Sequence, residues 1–143
     1  MISDDDKHRI DDIRALKEGW GENGLAFDKE HLAWLKRSLE QYWPEDLAFP
    51  VCPYEDGKKV AVDWYLPGGH VSIDIELFSR ICDYSVGDDS GTASKEGMIV
   101  LLSVHRWKRL AALVRGHAGD AGTMPRWLCS TSTGSKQSRC FGL

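Results

Sequence analysis

Long apolar runs are missing from this 143-residue sequence. No stretch approaches the roughly 20 apolar residues that cross a bilayer, and the opening residues MISDDDKHR lack the apolar segment of a secretory signal. No membrane association is expected, and the cytoplasm is the expected compartment. Cysteine is sparse: Cys52, Cys82, Cys129 and Cys140 stand 30, 47 and 11 positions apart, with no CxxC or Cys/His knuckle of the kind tetrahedral zinc needs. They read as free thiols, with Cys82 a small core hydrophobe inside a strand. The signatures of common catalytic and cofactor sites are also absent. There is no HExxH, no GxSxG, no P-loop and no GxGxxG, and no two of His8, His31, His70, His105 and His117 stand four apart. Gly19-Trp20-Gly21 and Gly68-Gly69 read as turns, and no metal or cofactor is expected.

Acidic residues nearly vanish after position 100, where one acid faces seven Lys/Arg, whereas residues 1–100 carry 21 acids against 11 bases. The formal net charge of -4 conceals this division. An acidic body repels phosphate, so nucleic acid is an unlikely ligand for it. The same body suits a protein partner with a basic surface.

A chain of this length buries about two-thirds of its unfolded surface, enough for one core without staples. Six Trp can help to fill it, and so many also suggest that an aromatic side chain lies exposed at an interface. Ser3, followed by Asp4, Asp5 and Asp6, resembles a helix start, and Ile10, Ile13, Leu16 and Trp20 recur at helical spacing, predicting a helix over residues 4–19. Asp28 is positioned to cap a second helix with Leu32, Leu35, Leu39 and Tyr42 on one face, ended by Pro44. Pro50, Pro53 and Glu55-Asp56-Gly57 mark an extended connector and a turn.

Alternation then takes over. Val60, Val62 and Trp64, and after a short turn Val71, Ile73 and Ile75, predict an antiparallel hairpin with Asp63, Asp74 and Glu76 on its outer face. A third strand is predicted over 80–86, a polar mobile loop over 87–97 and a short fourth strand over 98–102. From Val104 to Arg115, Trp107, Leu110, Ala111 and Val114 share one helical face flanked by Arg106, Lys108, Arg109 and Arg115. The fold class is thus α+β: two N-terminal helices, an antiparallel meander of three or four strands and a C-terminal amphipathic helix, forming one domain over 1–116. Residues 117–143 read as a flexible basic tail, because 12 of the last 28 residues are Gly, Ser or Thr. Its last four, Cys140-Phe141-Gly142-Leu143, have the CaaX form, atypical in its glycine.

Four groups of residues are candidates for function. The outward acids Asp63, Asp74 and Glu76, with Asp4, Asp5 and Asp6 as a second group, suit a basic protein partner. His70, near Asp74 and Glu76, is the weak candidate for acid–base catalysis, with or without a divalent metal. The basic helix carrying Arg106, Lys108, Arg109 and Arg115, with Trp107 or Trp127 to stack on bases, is the nucleic-acid alternative. Each has a plain structural counterpart: a solvated strand face, an exposed turn histidine, a core tryptophan.

Leu16-x3-Trp20-Gly21, the Pro50/Pro53 connector, Glu55-Asp56-Gly57, Val60-x-Val62-Asp63-Trp64 and Val71-Ser72-Ile73-Asp74-Ile75-Glu76 together resemble a diffuse family of short uncharacterised bacterial proteins. The resemblance covers about residues 10–86. It implies a bacterial cytosolic origin and the helix–helix–meander order, and nothing about catalysis. The expected function is a non-enzymatic protein-interaction module, in the manner of an acidic inhibitor or antitoxin. The alternative is a small enzyme using His70 with Asp74 or Glu76.

Overall fold

A computed structural model describes residues 2–67, 69–88 and 93–118. Its elements are helices α1 (Asp4–Arg14) and α2 (Lys29–Tyr42), strands β1 (Val51–Pro53), β2 (Lys59–Leu66), β3 (Gly69–Glu76), β4 (Ile81–Asp88) and β5 (Ala93–Val100), and helix α3 (Val104–Ala118). The strands form one antiparallel sheet in the order β1-β2-β3-β4-β5. The α+β class is as expected, with five strands in place of three or four.

Both N-terminal helices start on their capping residues. Ser3 Oγ accepts the Asp6 N–H, and Asp28 Oδ1 accepts those of Glu30 and His31. Helix α1 stops at Arg14, five residues short of its expected end, because the Leu16 N–H turns back to Ile13 and the chain enters a tight loop. In that loop Gly19 and Gly21 adopt positive φ, and the Trp20 indole lies so close to Gly24 that a Cβ there would fall 2.3 Å from it. Helix α2 ends where expected: Trp43, preceding Pro44, is forced out of the helical region at ψ 135. Its buried face includes Leu32, Trp34, Leu35, Ser38 and Leu39, while Tyr42 is exposed, contrary to the predicted stripe.

One strand lies where a connector was expected, and the fourth predicted strand starts five residues early. β1 occupies the proline-rich connector; as an edge strand it tolerates Pro53, whose missing N–H leaves no gap inside the sheet. β5 begins at Ala93, within the segment expected to be a mobile loop. Its glycine, a loop signal in sequence, is needed because a Cβ at Gly97 would lie 2.3 Å from the Tyr84 hydroxyl. The expected tail, with its CaaX-like end, lies almost wholly outside the described residues.

α1 packs on β1 and α2, and α3 packs on β2, β3, β5 and α2, so the helices share one face of the sheet. Between the layers sits an aromatic cluster: Trp43 lies 4.9 Å from Phe49, 5.9 Å from Trp64 and 6.3 Å from Trp107, centroid to centroid. The indole N–H groups of Trp43 and Trp64 donate to the carbonyls of Leu47 and Ala48, which fastens the connector onto the core. No described tryptophan is exposed; the aromatic side chains left at the surface are those of Phe78 and Tyr42. Among the described residues the large apolar side chains at the surface are Leu25, Tyr42, Phe78, Met98 and Leu102.

Cys82 is free and fully enclosed, as expected; Cys52 is disulfide-bonded, which corrects the reading of four free thiols. The difference follows from the pleat. Cys52 pairs with Ala61 on the face without helices, whereas Cys82 pairs with Ile75 and Ile99 in the core.

Candidate functional site: the sheet face opposite the helices

Side chains alternate across a strand, so the residues between the buried Val60, Val62, Trp64, Val71, Ile73 and Ile75 point away from the helices. The register arranges them in rows: Asp63–Ser72–Ser85–Glu96, Ala61–Asp74–Asp83–Met98 and Lys59–Glu76–Ile81–Val100. Ser72, Asp74, Asp83, Ser85, Glu96 and Met98 are among the residues that line a shallow depression of about 500 Å³. Asp63, Asp74 and Glu76 thus share one face, as predicted. Asp83 and Glu96 join them, and sequence reasoning missed both because it had assigned no register beyond the first hairpin.

Asp74 and Asp83 are directly opposite each other. Like charges so placed are unfavourable in a sheet. The Tyr54 hydroxyl donates to Asp74 Oδ1 at 2.7 Å, and the Lys59 ammonium lies 5.6 Å from the centre of the Tyr54 ring.

His70 is not partnered by Asp74 or Glu76 as proposed from sequence. Along a strand those residues are about 13 and 20 Å away at 3.3 Å per residue, beyond the reach of a carboxylate. Its partner is Asp63, whose Oδ1 lies 3.1 Å from His70 Nε2 and whose side chain is 9% exposed. The two-residue connection between Leu66 and Gly69 sets this pairing: Asp63 faces Ser72, and His70 is its diagonal neighbour. Tyr65, directly opposite His70, stacks on its ring at 4.4 Å with planes 6° apart. The imidazole is therefore held in orientation by one carboxylate and one ring.

The remaining sequence candidates do not join this face. α1 lies in the helical layer on the other side of the sheet. Asp4 and Asp5 are exposed there, with Lys7 3.9 Å from Asp4. Asp6 is not a surface acid: it is buried and its Oδ2 accepts the Phe49 N–H at 3.0 Å, a structural role that removes it from the binding set. On α3, Arg106, Lys108, Arg109 and Arg115 are exposed as predicted, and Arg115 is ion-paired to Asp46. Trp107 is 1% exposed within the aromatic cluster, so it cannot stack on a base; Trp127 lies outside the described residues. Among the described residues no group of three His, Cys, Asp or Glu is placed to hold a metal ion. No helix among them is long and apolar enough to cross a membrane.

No family model, curated protein or solved structure matches this chain.

Proposed function

We propose that this protein is a non-enzymatic interaction module whose sheet face opposite the helices docks a partner with a basic surface, as an acidic inhibitor or antitoxin does. The observation that carries the reading is the acid surplus in register on that face: Asp63, Asp74, Glu76, Asp83 and Glu96 against Lys59, with Asp74 and Asp83 directly opposed. A basic partner relieves that repulsion on binding, and a field of one sign accelerates encounter. The compartment is read as the cytoplasm; the disulfide at Cys52 is the observation against it. The test is capture from a bacterial lysate at low salt by the wild type and by an Asp74→Asn/Glu76→Gln/Asp83→Asn variant, read by mass spectrometry. A stoichiometric basic partner held by the wild type and lost by the folded variant supports the reading. A partner retained equally by both removes this face as the docking site.

A second reading rests on the Asp63–His70 pair. A carboxylate that fixes an imidazole orients it for general base work, here with Ser72 and Ser85 on the same face. Hydrolysis of chromogenic esters that is abolished by both His70→Ala and Asp63→Asn supports an enzyme; no turnover, or turnover equal in both variants, rejects it.

A further inference from the structure

On the helical side of the molecule, away from the acidic sheet face, α2, the β3–β4 turn and the start of α3 enclose a groove of about 260 Å³. Its polar lining is of the opposite sign. Arg37 projects from α2 and Arg80 from the turn, and Ser38 and Ser103 lie between them. Among the described residues neither guanidinium has an ion-pair or hydrogen-bond partner. Arg80 instead lies 4.7 Å over the Trp34 ring, which holds its charge at the groove.

Three further observations bear on what the groove takes. Ser38 is 6% exposed as a residue and lines the groove between the two arginines. As a groove-lining side chain its hydroxyl can donate to a ligand oxygen. The 15-residue helix α3 starts at the groove with no acid in its first turn, presenting the positive end of its dipole. Finally, Arg80 has φ 64, a left-handed conformation that favours glycine. The strained backbone thus sits at the residue whose guanidinium lines the groove.

We infer that this groove binds a phosphate group, with Arg37 and Arg80 as the charged clamp, Ser38 as hydroxyl donor and the α3 N-terminus completing the oxyanion's surroundings. Two guanidiniums and a hydroxyl match the several acceptor oxygens of a phosphate better than a single carboxylate. The free ion and a phosphomonoester share this chemistry. The exposed Tyr42 and Leu102 at the rim give an organic substituent apolar surface to rest on.

The experiment is a titration of the full chain with inorganic phosphate and with phenyl phosphate at fixed ionic strength and pH 8, read by tryptophan fluorescence and melting temperature against chloride. The wild type is expected to saturate. Arg80→Gly, which relieves the left-handed backbone, and Arg37→Ala, on an exposed helical position, are each expected to fold and to bind at least tenfold more weakly. Tighter binding of phenyl phosphate assigns a monoester ligand, and equal binding assigns the free ion. No saturable response in the wild type beyond that of chloride, or wild-type affinity in both folded variants, overturns the inference.

Discussion

Asp83→Asn is expected to stabilise this protein. Asp83 is exposed on β4 and directly opposite Asp74 on β3, a pairing in which the Cβ atoms stand about 4.5–5.5 Å apart. Two like charges at that distance in a water-like dielectric repel by about 0.7 kcal/mol, within the range of measured cross-strand pairs. Asparagine keeps the shape and removes the charge, leaving Asp74 and its hydrogen bond from Tyr54 in place. The midpoint of urea unfolding should therefore rise by an amount equivalent to about 0.5–1 kcal/mol, and the melting temperature by a few degrees. The gain is electrostatic, so it should shrink markedly in 1 M salt, where the Debye length is about 3 Å. A variant less stable than the wild type, or a gain unchanged by salt, would refute the reasoning that Asp74 and Asp83 repel across the strands.

Other perturbations test the frame behind that face. Asp6→Ala strips the acceptor from the buried Phe49 N–H and is expected to cost about 1–3 kcal/mol by chemical denaturation, with Asp6→Asn milder because it retains an acceptor. Gly24→Ala should cost about 1–3 kcal/mol and red-shift the emission of Trp20, whose indole must leave the space the new Cβ takes and so loses its 2.7 Å bond to the Leu25 carbonyl. Burial, with the nearby charges of Asp83 and Asp74 adding to it, pushes the Cys82 thiol up to about 12 from 9.0. Native Cys82 is thus expected to resist thiol reagents that label it after unfolding. Its contribution to stability is complete below pH 9 and falls between pH 9 and about 12, where the unfolded thiol ionises and the folded one does not; Cys82→Ala should lack that part of the alkaline slope.

Local signals were legible wherever one residue type has one physical use. The caps at Ser3 and Asp28, the Pro44 stop and the period of two in β2 and β3 all stand where their chemistry places them. What was hidden depends on neighbours distant in sequence. Gly97 reads as a loop residue until Tyr84 lies across it, and Pro53 reads as a connector until β1 is found at the sheet edge. Asp6 reads as one of three equivalent surface acids, yet only its position on α1 turns inward toward Phe49. At the candidate site the outward direction of Asp63, Asp74 and Glu76 follows from alternation alone. The Asp63–His70 pair needed the register of the hairpin, which the two-residue connection after Leu66 encodes and which counting back from Gly69 would have revealed. Asp83 and Glu96 needed two more registers. The Arg37–Arg80 groove draws on a helix, a turn and a second helix far apart in the chain, with no periodic pattern to connect them.

The most direct test of the account is the salt dependence of binding to the basic partner captured by the wild type, measured by titration calorimetry between 50 and 500 mM NaCl. Docking on the acidic sheet face predicts an affinity that falls steeply across that range, with the Asp74→Asn/Glu76→Gln/Asp83→Asn variant weaker at low salt and nearly flat. Affinity that is indifferent to salt and equal in wild type and variant would contradict it.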